Sequence, residues 1–217
     1  MTEQRKLPEA GPRKAYLNRY IKAGIHTCEG YQGAPDKDNP QLILGWELVE
    51  DFTDEDTPRP MWVKGFGAGN INDFNGERAK KTKYFTSMFL DYNPEIGNGE
   101  DFIGRPCRVV MKHNPGKGSH TGKTFANLSD VRDYDGELPP ISQPAVFFDF
   151  DHPTQEGLEK LFPWEVEYLQ SALNYSGSKL QVLIDGKTEV PDIPRDSQGS
   201  SRDDSSSHEE VRDDAPF

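Results

Sequence analysis

The chain has 217 residues, of which 33% are apolar and 29% charged, and its formal net charge is −12. That length suits one domain with a tail or two small domains, and the mean hydropathy of −0.82 is low for a wholly globular chain. A polar start, no long apolar run and only two cysteines, Cys28 and Cys107, argue against a secretory leader, a membrane span or a disulfide scaffold. The expectation is a reduced, cytoplasmic protein.

Residues 1–12 are polar, with Pro8, Gly11 and Pro12, and read as a flexible arm. From Arg13 to Ile25 the chain alternates as a strand would. Ala15, Leu17, Arg19 and Ile21 fall on one side, and Tyr16, Asn18, Tyr20 and Lys22 on the other. Gly24 allows a bend or bulge, beyond which the strand continues to about Tyr31. A turn-rich break at 33–40 leads to a second strand, Gln41 to Glu50. An acid- and proline-rich loop at 51–60 precedes a third, Met61 to Phe66. From about Asn75 to Tyr92 the period changes, and Phe85, Met88, Phe89 and Tyr92 form the stripe of an amphipathic helix. Arg105 to His113 and Gly122 to Val131 then make an expected hairpin around the loop 114–121. Pro144 to Phe150 is extended. A helix pair follows, the first capped by Thr154, the second opened by Pro163 with Val166, Leu169 and Leu173 on one face.

Three strands, a helix and two strands is the order of a five-stranded oligonucleotide-binding (OB) barrel with a helix between strands 3 and 4. The expected fold is therefore mainly β. An OB domain spans 13–152, a C-terminal helical extension 153–186, and an acidic tail 187–217.

Charge is segregated along the chain. From about Pro191 onward there are three arginines against eight acids, a net −5 that leaves −7 for the rest. A segment so poor in apolar residues cannot offset its ordering entropy and is expected to be disordered. An acidic body counts against nucleic-acid binding unless its positive charge is clustered. It is clustered: 102–129 contains no acid, and Arg105, Arg108, Lys112, Lys117 and Lys123 give it +5. Arg78, Lys80, Lys81 and Lys83 form a second cluster on the expected helix.

Binding of single strands without sequence preference needs a positive groove and flat rings on which bases stack. Strand parity places Trp62, Lys64 and Phe66 on one face of the third strand, and Tyr16, Tyr20 and Lys22 on one face of the first. It places Arg108 with Lys112 on the fourth, and Lys123, Phe125 and Asn127 together on the fifth. A lysine buried unpaired between rings would be costly, so these mixtures suit a wet face. The plainer alternative is a lysine reaching past the rim of the core while Trp62 packs inside. The expected DNA contacts are these aromatic and basic residues, without Asn127, together with Lys80 and Lys81 of the helix and Lys117 of the hairpin loop.

Other chemistries fit poorly. The loop from Gly116 to Thr124 superficially resembles a phosphate-binding P-loop, but the required glycine five residues before Gly122 is Lys117, and a strand follows where a helix is needed. His26, Cys28, Cys107 and His113 lack the close pair spacing of a structural zinc site. Asp133 with Asp135, and Asp149 with Asp151, lack a third committed ligand or a nucleophile. No catalytic constellation and no cofactor is expected.

Two resemblances follow from these residues. The final Asp213-Asp214-Ala215-Pro216-Phe217 is similar to the acidic tip of bacterial single-stranded DNA-binding proteins. The body resembles a family of phage-encoded OB-fold single-stranded DNA-binding proteins over roughly 11–175. The similar features are Ala15 to Gly24, the Gly30-Tyr31-Gln32-Gly33 turn, Ile103 to Cys107, Lys123 to Leu128, Pro144 to Asp149, and the helix with Pro163 and Trp164. The resemblance implies a protein that coats and protects single-stranded DNA during replication, recombination and repair in a bacterial host's cytoplasm. It also implies recruitment of a polymerase, helicase-primase or nuclease through Asp213, Asp214, Pro216 and Phe217. A homodimer is left open. The rival reading is an acidic interaction protein or DNA mimic with no affinity for DNA, for which the net charge is the best argument.

Overall fold

The computed structural model describes residues 7–28, 34–52, 58–63, 79–96, 99–116 and 121–186, with side chains described except at 50–52 and 58–63. The elements in order are β1 (Gly11–Cys28), β2 (Lys37–Phe52), β3 (Pro58–Val63), α1 (Lys80–Met88), a 3-10 turn (Gly99–Phe102), β4 (Pro106–Pro115), β5 (Thr124–Arg132), β6 (Val146–Asp149), α2 (Gln155–Glu159), α3 (Pro163–Gln170) and α4 (Lys179–Asp185). The molecule is mainly β, as expected, and the helix does fall between the third and fourth strands. β1 to β5 form an antiparallel sheet in the order β3-β2-β1-β4-β5, and β6 joins β1 in parallel.

β1 is the centre of this arrangement. One of its edges pairs with β2 along nearly its whole length, and the other pairs first with β4 and then with β6. The strand starts earlier than expected: Gly11 and Pro12 pair with Met111 and Val110, so the end of the predicted arm is strand. Two irregularities interrupt its register with β2, one between Leu17 and Arg19 and one between Lys22 and Ile25. The second contains Gly24, whose φ of +82° is open to glycine at little cost, as expected for a bulge. It also accommodates Pro40, which pairs with Ile25 inside β2, where the sequence suggests a turn-rich break.

The first irregularity has the larger effect, because an extra residue reverses which side chains face which way. Ala15 and Leu17 enter one core, and after Asn18 it is Tyr20 that continues in that core while Ile21 and Ala23 enter another. The first core lies between the sheet and α1. Leu42, Leu44, Trp46 and Leu48 of β2 and Cys107, Val109 and Met111 of β4 meet Phe85, Met88, Phe89 and Tyr92 there. The second core joins Ile21 and Ile43 to Phe148 of β6, to Phe150 just beyond it, and to Leu169 and Leu180 of the helical extension. Because β2 is covered on both faces, every residue from Gln41 to Leu48 is buried, and the sequence there is a run rather than an alternation.

The helix stripe packs as its period predicts, although regular helix ends at Met88 and Phe89 and Tyr92 complete the stripe from the following turn. In the extension, Thr154 Oγ1 accepts from the Gly157 N–H at 3.1 Å, and Pro163 occupies the first turn of α3. Leu173 does not share the face of Val166 and Leu169. Since α3 ends at Gln170, the period lapses and Leu173 is exposed. α4 is a third helix in the extension, where the sequence suggests a pair. Ser178 caps its start by accepting from the Gln181 N–H, and Gly186 closes it in the left-handed region. No described helix is long and apolar enough to cross a membrane.

Candidate nucleic-acid interface

The bulge at Asn18 breaks up the trio expected on β1. Tyr20 is wholly buried, its ring edge-on to Phe85 with centroids 5.9 Å apart. Gly99 lies so close that a Cβ there would fall 2.6 Å from the Tyr20 ring. Tyr20 is therefore a core residue and offers no stacking surface. Tyr16 faces the other way, half-buried, and its hydroxyl donates to the Pro139 carbonyl at 2.7 Å. Burial, and secondarily the charge of Glu47, push its phenol pKa upward. Lys22 pairs with Asp149 at 3.3 Å and lies 5.6 Å from the Phe147 ring centre, so it belongs to the β6 edge.

The helix cluster is also divided. Lys80 is exposed, with its ammonium 5.9 Å from the Tyr84 ring centre, whereas Lys81 is only 2% exposed. The reason is periodic: counting back from Phe85 and Met88 puts residue 81 on the apolar stripe itself. Lys81 is a correction to the expected contacts.

The expected residues on β4 and β5 do come together. Cys107, Val109 and Met111 face the first core, which leaves Arg108, Val110 and Lys112 on the outer face. Opposite them on β5 the partners are Arg132, Asp130 and Asn127, and Phe125 pairs with Asn114 one step further along. Phe125 is 40% exposed, and Lys123, just before the strand, shares its side by alternation and is exposed. Among the described residues, Lys112 and Lys123 have no acidic partner.

Register adds residues that the sequence reading missed. Lys14 of β1 pairs directly with Arg108 of β4, and Arg108 pairs directly with Arg132 of β5. Three cations thus form a row across three adjacent strands, which are about 4.8 Å apart. Like charges directly opposite one another on a sheet are destabilising. Two local contacts temper the cost. The Tyr134 ring centre lies 6.0 Å from the Lys14 ammonium and 5.4 Å from the Arg108 guanidinium, and Asp130 takes Arg132 at 3.0 Å. The outer strand face therefore carries Lys14, Arg108, Lys112, Lys123 and Arg132 against one acid, Asp130, with Phe125 and Tyr134 as its rings. No sequence period marks Tyr134, which sits between two aspartates after β5 ends. Only the pairing of β1 with β4 identifies Lys14.

The segment from Tyr134 to β6 is a strap tied down across this side of the sheet. Beyond the Tyr16 contact, buried Glu47 accepts the Ser142 and Gln143 N–H groups, each at 2.8 Å. At the start of the strap, Arg105 holds Asp91 through two contacts of 2.8 and 3.0 Å and lies against the rings of Phe102 and Phe89. Its guanidinium, first through the hydrogen bond, holds the Asp91 carboxyl below the ordinary range. Arg105 is thus a neutralised cation despite its place in the basic run.

The backbone of Trp62 pairs with Gly45 in β3, but its side chain, together with Lys64, Phe66, Lys117, Asp213, Asp214, Pro216 and Phe217, lies outside the described residues. Of the suggested metal ligands, His26 contacts the Ala23 carbonyl at 2.9 Å, and Cys107 is wholly buried, its thiol pKa pushed up to about 12 chiefly by that burial. Among the described residues, no group of three His, Cys, Asp or Glu side chains is placed to hold a metal. No protein-family model matches the chain, and no curated protein matches it.

Proposed function

We propose that the protein binds single-stranded DNA without regard to sequence, coats and protects it in replication, recombination and repair, and recruits replication proteins through its acidic segment 191–217. The observation that carries this reading is the cross-strand row Lys14–Arg108–Arg132, extended by Lys112 and Lys123 and flanked by Phe125 and Tyr134, in a chain whose net charge is −12. A fold does not retain a row of like charges for its own stability. Such a row suits a polyanion whose phosphates meet the cations while its bases lie on the rings.

The strand order supports an OB architecture. β3 and β5 are the two edges of the five-stranded path, so bringing them together would close it into a barrel. The acidic segment supplies a tethered competitor for the same cations and, with Phe217, a motif for a partner's basic-rimmed pocket.

Fluorescence anisotropy with a labelled oligo-dT and its duplex, at two salt concentrations, tests the reading. The expected result is tighter binding of the single strand, with a slope of log affinity against log salt of about −3, from about 0.7 per phosphate for some four net cations. The charge-neutralised variant Arg108→Gln/Lys112→Gln should reduce that slope by about half. Binding to neither nucleic acid, with or without residues 191–217, would favour the rival reading of an acidic interaction protein.

A further inference from the structure

We infer that the cleft beside Tyr134 is a nucleobase subsite that takes a base bearing an exocyclic amino group in preference to thymine, an inference that rests on the single-strand reading above. The cleft has a volume of about 280 Å³ and lies between the end of α1 and the segment leaving β5. That is at the lower end of small-molecule sites, a size suited to one flat ring system. Phe89, Leu90 and Tyr134 supply apolar and aromatic lining, and Leu90 is 84% exposed.

Two arguments select the occupant. The first is continuity. Tyr134 lines the cleft, and it is also the ring over which Lys14 and Arg108 lie. A strand whose phosphates rest on those cations brings its bases to the cleft mouth. The second is charge. Arg105, the cation of the cleft, is taken by both oxygens of Asp91. The remaining charged groups of the lining are Asp133 and Asp135, both exposed, and ionised carboxylates only accept hydrogen bonds. A phosphate would be repelled there. An amino group is attracted: cytosine offers N4 and adenine N6, whereas thymine places a carbonyl oxygen at the corresponding position.

The test is anisotropy at pH 8 with oligo-dC and oligo-dT of equal length, using the full chain and the variant Asp133→Asn/Asp135→Asn. An asparagine amide can donate to a thymine carbonyl as readily as it accepts from cytosine, so it should erase the preference without opening a cavity. The native protein is expected to bind dC a few-fold (about threefold) more tightly than dT, a modest preference added to binding that needs no particular sequence. In the variant that ratio should fall towards one while dT affinity holds or rises. Equal affinities in the native protein, or a ratio unchanged in the variant, would overturn the subsite and leave the single-strand reading standing. Failure of both oligonucleotides to bind would overturn both. Loss of far-ultraviolet circular dichroism is not expected, because both aspartates are exposed. A lysine-rich peptide that binds the native protein but not the variant, with dC and dT bound equally, would assign the cleft to a protein partner instead.

Discussion

At the scale of single residues, position in the register matters more than residue type. Tyr16 and Tyr20 are chemically alike and four apart, yet one lies beneath the strap and the other inside the core, because one extra residue between them reverses the strand's parity. Lys80 and Lys81 are adjacent and equally charged, yet only one is exposed. Asp149 shows how a neighbourhood sets charge. Burial pushes its carboxyl pKa up, but the Asp151 N–H at 2.9 Å and the Lys22 ammonium at 3.3 Å outweigh that, and the pKa falls below its ordinary 3.8. The unfolded chain therefore takes up this proton first as pH falls, so stability from this group is complete above about pH 4 and is lost through the lower native pKa. Urea unfolding of Asp149→Asn should show a deficit of about 1 kcal/mol at pH 7 that shrinks as the pH falls below the ordinary carboxylate range. A deficit independent of pH would mean the carboxylate's charge plays no part.

At the scale of elements, a buried ion pair links β1 to the helical extension in addition to the second core. Arg19 Nη1 reaches Glu165 Oε2 at 2.9 Å, Nη1 and Nη2 also donate to the Lys160 carbonyl, and the guanidinium lies 4.0 Å from the Phe162 ring centre. Glu165 is fully buried and its carboxylate also accepts the Phe162 N–H at 2.7 Å, which anchors the first turn of α3. Burial raises the Glu165 pKa despite these contacts and, first among its causes, lowers that of Arg19. Removing one partner leaves the other charge buried alone. Glu165→Ala is thus expected to cost about 3–5 kcal/mol by urea denaturation, while Arg19→Met/Glu165→Leu costs much less. If the double replacement is as damaging as the single, the pair is not what joins the two elements. The exposed Arg132–Asp130 contact should contribute far less, as surface pairs do.

At the scale of the whole molecule, the two cores divide the sheet's labour. The first makes the β sheet and α1 one body, the second adds β6 and the extension, and the outer face of β4 and β5 is left to carry charge. The acidic segment after Val190 has a net −5 and is joined to the same chain. If the chain binds DNA as proposed, a tethered competitor with an effective concentration of order millimolar would be a measurable opponent of it. Ending the chain at Val190 should tighten oligo-dT binding several-fold at about 50 mM salt, and the gain should fade as salt screens both interactions. An affinity unaltered by the truncation at low salt would show that the segment does not compete.

The sequence by itself determined the mainly-β class, the place of α1 between the third and fourth strands, the stripe Phe85, Met88, Phe89 and Tyr92, the Thr154 cap and the outward face of Lys112 and Phe125. Each of these depends on residues near one another in the chain, where period and capping chemistry act directly. Extended back one turn, the same stripe also includes Lys81, which is buried. Only the tertiary structure decided the rest. The bulge that sends Tyr20 inward, the Lys14–Arg108–Arg132 row, the contact of Lys14 and Arg108 with the Tyr134 ring, the Arg105–Asp91 pair and the Arg19–Glu165 pair all join residues distant in sequence. Their positions follow from register and from what covers each face, and one extra residue in β1 is enough to turn Tyr20 from the outer face into the core.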